Sequence, residues 1–258
     1  MAALLEGRTV ANRAFFAAEA DRVARLCEQI AERFRSGGRL LALGSSPAAR
    51  TDAHHVAVEF VHPVIVGKRA LPALALTARG CRLAAEAELL AEPADVAIGF
   101  GIDEDEGETV EALELARSRG CLTIAFAPGP AEWEFVPPGG GDAFLRQELV
   151  ETLYHLLWEL VHVFFEHGPA PGRGLVEDAE AERQPAASFL YPFLSGAAGD
   201  SDAVIADVRR SVIAKAEEVA ELRRQTLTEG RDELIAAALT LRRAFEAGGR
   251  LLAFGNGG

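Results

Sequence analysis

The sequence GGRLLALGSSP, residues 37–47, decides the predicted fold because it joins the end of a helix, a buried strand and a turn. Before it, roughly residues 10–36 place apolar side chains every three or four positions, as in a helix packed along one stripe. The two glycines predict the end of that helix. The short apolar run 40–43 predicts a strand buried on both faces.

The same pattern occurs a second time. GGRLLALG at residues 37–44 recurs as GGRLLAFG at residues 248–255, an offset of 211 residues. A second amphipathic segment, roughly 229–247, precedes the second copy and predicts another helix followed by another buried strand. A domain of the same kind is therefore predicted to begin twice.

These repeats predict three regions. Residues 1–167 form the first domain, and residues 168–200, which are rich in proline, glycine and alanine, form a linker. The second copy reaches Gly258 where a helix is expected to begin. We therefore expect residues 201–258 to be the helical start of a second, truncated copy, because a lone strand cannot build its own sheet.

Between the two copies, predicted strands and helices alternate. Such alternation is typical of an α/β fold, here a three-layer αβα sandwich with a parallel sheet. The strands are predicted near 39–43, 70–76, 94–100 and 121–126, and the helices near 48–61, 79–91, 106–119 and 143–166.

The composition limits the partners. A net charge of −13 and a pI near 5.0 argue against binding to nucleic acid or to an anionic membrane. No apolar segment reaches the roughly 18 residues of a membrane span, and the N-terminus does not resemble a signal peptide. The cysteines Cys27, Cys81 and Cys121 match no metal motif and suit a reducing compartment, so a cytoplasmic location is expected.

Ligands of an open parallel sheet bind outside the carboxyl ends of its strands, where two turns attract attention. In the first turn, Ser45 and Ser46 precede a proline and the amides of a helix N-terminus, so they could hold a phosphate. The alternative is an ordinary turn with Ser46 as the N-cap. The second turn carries four acids, residues 103–106, which predict a solvated loop, a cation site or a contact with a basic partner.

Two pairs of polar residues suggest chemistry. His55 and Glu59 are four residues apart on a predicted helix, so they share one face and could share a metal or a proton. Gln147 and His155 form a second pair on a later helix. An ordinary ion pair is the alternative for the first pair, and mutual hydrogen bonding on a bundle face is the alternative for the second.

At this point the chain resembles the SIS-domain sugar isomerases, specifically the phosphoheptose (sedoheptulose 7-phosphate) isomerases. The family's pattern of two glycines, a basic residue, an apolar strand, a glycine-rich turn and Asp-Ala-x-His-x-x-x-Glu is similar to residues 37–59, with Asp52, His55 and Glu59 in step. The family's Gln and, eight residues later, His are matched by Gln147 and His155. The glycine-rich turn itself has become Ser-Ser-Pro-Ala, and the acidic run replaces the family's Ser/Thr-rich phosphate loop.

The resemblance implies an aldose-ketose isomerase of phosphosugars in which Glu59 is the base and His155 the acid. It also implies zinc, with His55, Glu59, Gln147 and His155 as ligands. Ser45, Ser46, Asp52 and Gln147 are then expected to contact the substrate. The alternative is a non-catalytic SIS domain that acts as a sugar-phosphate sensor or protein-binding scaffold, and a third reading assigns catalysis to the second copy.

Helix geometry restricts the zinc hypothesis. Gln147 and His155 on one straight helix are separated by about 12 Å along its axis, at 1.5 Å per residue. Either the helix is irregular, or the two residues contribute from different chains, or Glu151 pairs locally with His155. A homo-oligomer is expected, because the helices at 10–36 and 143–166 carry more apolar surface than one small sheet covers.

Overall fold

The computed structural model describes residues 2–63, 68–78, 80–102, 107–138, 142–167 and 201–252. Within these ranges, helices flank both faces of a five-stranded parallel sheet. The predicted α/β fold is therefore confirmed, together with the helical character of the region after residue 200. Three sequence features lie outside the described residues: the acidic run 103–106, the linker 168–200 and the end of the second copy, 253–258.

All four predicted strands are present, and a short fifth strand, which the sequence pattern did not indicate, follows them. The elements in chain order are α1 (Ala2–Arg35), β1 (Leu40–Leu43), α2 (Pro47–Val61), β2 (Ala73–Leu76), α3 (Leu83–Leu90), β3 (Val96–Gly99), α4 (Glu108–Ser118), β4 (Leu122–Ala125), β5 (Trp133–Glu134), α5 (Ala143–His167), α6 (Ser201–Glu229) and α7 (Arg231–Glu246).

The strand order is β2-β1-β3-β4-β5, with every neighbouring pair parallel. In the central pair, Leu40 lies opposite Val96 and Leu43 lies opposite Gly99. After β1 the chain forms β2 on one side of it, and β3, β4 and β5 are then added on the other side. The direction in which strands are added therefore reverses between β1 and β3. In open parallel sheets, the crevice outside the carboxyl ends at such a reversal is where ligands bind.

Alternate strand residues build two separate cores, one on each face of the sheet. In β1, Leu40 and Ala42 pack towards α1, α2, α5 and α6, whereas Leu41 and Leu43 pack towards α3 and α4. Both sets are fully buried, as expected for a parallel sheet covered on both faces. The fold therefore has three layers.

Two glycines of the opening motif have a steric role. Gly37 adopts a φ of +85° just after α1, in the left-handed conformation that commonly ends helices. Gly44 follows β1, and a Cβ there would lie 2.5 Å from the carbonyl oxygen of Ala49. The absence of a side chain at Gly44 thus allows the first turn of α2 to approach the end of β1.

The start of β1 is fixed by an ion pair between the buried Asp95 and the partly exposed Arg39. The Asp95 carboxylate is 1% exposed and accepts hydrogen bonds from the backbone N–H of Arg39 at 2.7 Å and from its guanidinium Nη2 at 2.7 Å. The backbone N–H of Glu92 also donates to Asp95, at 3.0 Å. This network joins the start of β1 to the turn before β3.

Helix α6 packs against α1 and α5. Its Val204, Val208 and Val212 are buried in the same hydrophobic core as residues of those two helices. The division into a first domain, a linker and a second copy stays a prediction. Among the described residues, no helix meets the combined requirements of length and apolar character for crossing a membrane.

Helix α7 contrasts with α6 because none of its side chains is buried. After α7, the sequence predicted a second buried strand. That prediction is wrong for the residues that the structure describes: Leu251 and Leu252 are 65% and 77% exposed and lie outside any strand. The physical reason is that no neighbouring strand is available to them in the described part of the chain. Apolar side chains of α7 that are exposed include Leu234, Ile235, Leu239, Leu241 and Phe245.

A candidate metal centre beside a cavity

A cavity of about 350 Å³ lies at the carboxyl ends of β3 and β4. Its walls come from the first turns of α2 and α5 and from the turns that follow the two strands. Phe100 and Phe126 supply apolar surface, while Asp52, Arg146 and Gln147 supply polar groups. This position agrees with the ligand site expected at the carboxyl ends of the strands.

The turn before α2 uses Ser46 as a helix cap. The Ser46 hydroxyl accepts a hydrogen bond from the backbone N–H of Ala49 at 3.2 Å, and Pro47 occupies the first helical turn. Ser46 as the N-cap is therefore confirmed. Ser45 is 8% exposed. Contact of either serine with a substrate stays a prediction.

Asp52 and Gln147 connect α2 to α5 at the edge of the cavity. The Gln147 side-chain amide donates to the Asp52 carboxylate, with 2.8 Å between Nε2 and Oδ1. Asp52 is 7% exposed, so this contact holds a largely buried carboxylate. The structure thus brings together these two predicted substrate-binding residues, and both line the cavity.

His55, Glu59 and His155 form a cluster in which one potential ligand atom from each lies within 4.8 Å of the others. Oε1 of Glu59 is 3.5 Å from Nε2 of His55 and 3.8 Å from Nε2 of His155. His55 and Glu59 lie one turn apart on α2, and His155 comes from α5. Both imidazoles are 42% exposed, whereas Glu59 is 15% exposed, so the cluster faces solvent from one side.

A backbone carbonyl orients His155. Its Nδ1 lies 2.7 Å from the carbonyl oxygen of Glu151, which can only accept a hydrogen bond. Nδ1 therefore donates, and the lone pair of a neutral His155 is at Nε2, facing Glu59. The local pairing of Glu151 with His155 occurs through the Glu151 backbone, since the Glu151 carboxylate accepts from Gln147 at 3.5 Å.

Tyr154 orients His55, and this role was not predicted from the sequence. The Tyr154 hydroxyl lies 3.1 Å from Nδ1 of His55, and the two rings meet edge to face at 5.5 Å. Burial raises the pKa of Tyr154, and the negative charge of Asp52 raises it further, so the hydroxyl stays neutral. The only sequence signal was its position directly before His155.

Gln147 lies apart from the other three predicted metal ligands. Helix α5 is continuous from Ala143 to His167, so eight residues separate Gln147 from His155 by about 12 Å along the axis. An irregular helix therefore does not bring the two together, and the Gln147 amide is engaged by Asp52. Gln147 as a ligand of the same ion stays a prediction that needs a second chain.

The remaining histidines and cysteines lie outside the cluster. His162 is 2% exposed, and its two ring nitrogens contact the carbonyl oxygens of Trp158 at 2.8 Å and Arg69 at 3.0 Å, so it is a buried packing residue. His54 and His62 are exposed. Cys27 and Cys121 are buried and Cys81 is exposed, and within the described residues none of them joins a metal-binding group.

The donor set fits zinc. Two imidazole nitrogens and a carboxylate oxygen are ordinary zinc ligands, and a three-ligand site leaves a position for water or substrate. Zinc bonds of about 2.0–2.1 Å in a tetrahedron place ligand atoms about 3.3–3.4 Å apart. The separations of 3.5 and 3.8 Å at Glu59 are close to this value, and all three ligand atoms lie within 4.8 Å of one another, so side-chain rotations that bring the two imidazoles together would close the cluster around an ion.

Comparison with known proteins points to one family. No protein-family model matches the chain. The chain is 30% identical over 186 residues to a phosphoheptose isomerase from Solidesulfovibrio magneticus. The matched region covers 64% of this chain and 90% of that relative. It is 32% identical over 165 residues to a phosphoheptose isomerase from Chlorobaculum tepidum, covering 55% of this chain and 78% of that relative.

A solved structure supports the fold. Phosphoheptose isomerase from Neisseria gonorrhoeae superposes with a TM-score of 0.52 at 17% sequence identity, covering 62% of this chain and 95% of that one. At that identity the likeness concerns the fold. The sequence relationship is closer, because the match to the Solidesulfovibrio protein spans 90% of its length at 30% identity. The chain therefore belongs to the phosphoheptose isomerase family of SIS-domain proteins.

Proposed function

We propose that this protein is a zinc-dependent aldose-ketose isomerase acting on a phosphosugar of the sedoheptulose 7-phosphate type. One observation carries the proposal: His55, Glu59 and His155 converge from two helices next to the cavity at the carboxyl ends of the strands. The family to which the chain belongs supports the same reaction class.

The cavity and the cluster are neighbours along α2. Asp52 lines the cavity, and His55 and Glu59 follow it at three and seven residues, so all three lie on one side of the helix. On α5, Gln147 lines the cavity two turns before His155. A sugar in the cavity would therefore extend towards the cluster along both helices.

The residues have the chemistry that isomerisation requires. Glu59, as the base, would take the proton from the carbon beside the sugar carbonyl, and the resulting enediol would be reprotonated on the adjacent carbon. A proton would be added to the carbonyl oxygen as that bond becomes single, and a proton would leave the neighbouring hydroxyl as it becomes the new carbonyl. His155 would exchange these protons through Nε2, because its Nδ1 proton is held by the Glu151 carbonyl. A zinc ion held by His55 and Glu59 would polarise the carbonyl when bound, and His155 would be a zinc ligand only while it is not acting as the acid. Asp52 and Gln147 would position sugar hydroxyls.

The phosphate end of the substrate requires a cation or amide donors. Arg146 lines the cavity and provides a positive charge there. In the first turn of α2, Pro47 has no N–H and the Ala49 and Arg50 amides donate to Ser46, so the Ala48 amide is the donor of that turn left for a ligand. Two carboxylates, Asp52 and Asp142, also line the cavity. Arg8 engages Asp142 with two hydrogen bonds, of 2.9 and 3.0 Å, which partly offsets its charge.

A specific observation also supports the non-catalytic alternative. The acidic run 103–106 directly follows the cavity-lining residues Gly101 and Ile102 in sequence. Four acids adjoining the cavity lining in sequence are a feature that would disfavour a phosphate, since like charges repel. A sugar sensor or protein-binding scaffold that retains the fold without turnover is therefore the second candidate function.

The decisive experiment combines metal content with proton exchange. The untagged protein, Glu59→Gln, His155→Ala and the control His54→Gln would be measured by mass spectrometry for zinc. Each would then be incubated with sedoheptulose 7-phosphate in deuterated water, and NMR would follow deuterium incorporation beside the carbonyl. This readout detects proton abstraction even if little product accumulates.

An isomerase predicts about one zinc per chain in the wild type and in His54→Gln, with loss of zinc in His155→Ala. Deuterium incorporation should fall by at least about 100-fold in Glu59→Gln, because general acid-base catalysis contributes on that scale. Sugar binding by the wild type without any deuterium incorporation would favour the sensor. If the wild type shows neither sugar binding nor deuterium exchange, both small-molecule functions are excluded.

A further inference from the structure

Tyr154 contacts both candidate histidine ligands. It is completely buried, and it directly precedes His155 on α5. Its hydroxyl lies 3.1 Å from Nδ1 of His55, while its ring stacks on the His155 ring with 4.8 Å between centroids. One rigid side chain thus borders the imidazoles contributed by two different helices.

The two histidines differ in what fixes their ring protons. Nδ1 of His155 faces the Glu151 carbonyl, which only accepts, so a neutral His155 carries its proton on Nδ1. Nδ1 of His55 faces the Tyr154 hydroxyl, which can either donate or accept. A neutral His55 can therefore carry its proton on either nitrogen and keep its hydrogen bond to Tyr154.

Metal binding requires this freedom. Nε2 of His55 lies 3.5 Å from Oε1 of Glu59, so without an ion the carboxylate attracts the ring proton to Nε2. The hydroxyl of Tyr154 then donates to Nδ1. When Nε2 binds an ion, the ring proton is on Nδ1. The Tyr154 hydroxyl oxygen then accepts a hydrogen bond from this N–H. Rotation of the Tyr154 hydroxyl hydrogen about the C–O bond lets the same oxygen pair with Nδ1 in both states.

We propose that Tyr154 is a positioning residue for the metal site, whose hydroxyl holds the His55 ring and changes from donor to acceptor as Nε2 binds the ion. The inference rests on the metal centre of the proposed function, and it assigns to Tyr154 a role that is separate from proton transfer to the sugar. Without the hydroxyl, the Nδ1–H of a metal-bound His55 loses this partner.

Tyr154→Phe tests the proposal because it keeps the ring and its packing while removing one oxygen. Thr152→Val is a matched control, since it removes a hydroxyl from the same helix that donates to the Glu148 carbonyl. Zinc affinity would be measured by competition with a chromophoric chelator, and folding by thermal unfolding of the metal-free proteins. Nitrogen-15 NMR of the wild type would identify the protonated ring nitrogen of His55 with and without zinc.

The expected result is zinc binding 10- to 100-fold weaker in Tyr154→Phe, which is the usual effect of removing a residue that orients a metal ligand, and unchanged in Thr152→Val. In the wild type, His55 should carry its proton on Nε2 without zinc and on Nδ1 when zinc is bound. This change is measured in the wild type alone, so it tests the donor-to-acceptor switch even if Tyr154→Phe does not fold, and a proton on Nδ1 in both states would overturn the switch.

Three further outcomes would overturn the proposal. Equal zinc affinity in the wild type and Tyr154→Phe would exclude the role of the hydroxyl while leaving the metal site intact. Zinc bound through Nδ1 of His55 would also exclude this role, because Nδ1 could then not hydrogen-bond to the Tyr154 hydroxyl. A wild type that binds no zinc would exclude the metal site together with this inference, which separates the failure of the proposed function from the failure of the Tyr154 assignment.

Discussion

Gly44→Ala should destabilise the protein and impair the proposed metal site, although it adds only one methyl group. Gly44 lies between the end of β1 and the first turn of α2. The new Cβ would lie 2.5 Å from the carbonyl oxygen of Ala49 and 2.9 Å from its Cβ. These contacts are about 0.6–1 Å shorter than the optimum of roughly 3.5 Å. Backbone atoms of a helix cannot rotate away, so α2 as a whole must shift.

The size of the effect follows from that shift. Forcing an extra carbon into a packed region costs about 1–3 kcal/mol of the free energy of unfolding. Helix α2 also carries His55 and Glu59, whereas His155 lies on α5. Ligand distances must match the ion to within about 0.2 Å, so a displacement of several tenths of an ångström should weaken zinc binding at least about tenfold.

Gly7→Ala is the matched control. Gly7 is exposed within α1, and a Cβ there would meet no atom within 4 Å. The same substitution should therefore stabilise the protein by about 0.5–1 kcal/mol, because alanine loses less backbone entropy in a helix. Urea unfolding followed by circular dichroism gives both free energies, and chelator competition gives zinc affinity. Equal stability changes of the same sign in the two variants would refute the steric role of Gly44.

Other regions of the chain give three further predictions. Asp95→Ala should cost about 1–3 kcal/mol of unfolding free energy in a denaturant titration, because it removes the acceptor of the Arg39 and Glu92 backbone N–H groups and of the Arg39 guanidinium; a loss below about 0.5 kcal/mol would contradict that role. Removing residues 231–258 should leave the urea midpoint unchanged, since no side chain of α7 is buried, whereas Val208→Ala should cost about 2 kcal/mol. In the native protein a thiol reagent should label Cys81 and spare the two buried cysteines, as peptide mapping of the labelled chain would reveal.

The strands that build the sheet were predictable because burial on both faces leaves a clear signal. Strands β1, β3 and β4 are fully buried, and each reads as a short, mainly apolar run ended by a turn or a helix start. Strand β5 gave no such signal, since it consists of Trp133 and Glu134, both partly exposed at the edge of the sheet. Its pairing with β4 depends on the completed sheet rather than on its own sequence.

The candidate site was only partly predictable. Helix periodicity places His55 and Glu59 on one face, and the structure brings them within 3.5 Å of each other. The approach of His155 depends on how α5 packs against α2, which no local pattern encodes, so it was expected from the family resemblance alone. Tyr154 was missed for the same reason: its hydrogen bond to His55 joins residues 99 positions apart.

A contribution to folding stability does not explain why His55, Glu59 and His155 lie together. An exposed pair between a histidine and a carboxylate contributes about 0–1 kcal/mol, and both imidazoles here are 42% exposed. If both rings were protonated to pair with Glu59, two positive charges would lie with their ring centroids 5.0 Å apart and would repel each other. A single carboxylate thus cannot satisfy two imidazolium rings well. Two neutral rings whose Nδ1 atoms are hydrogen-bonded and whose Nε2 atoms face one carboxylate oxygen are better suited to a shared cation, and this holds whether the protein turns over a sugar or only binds one.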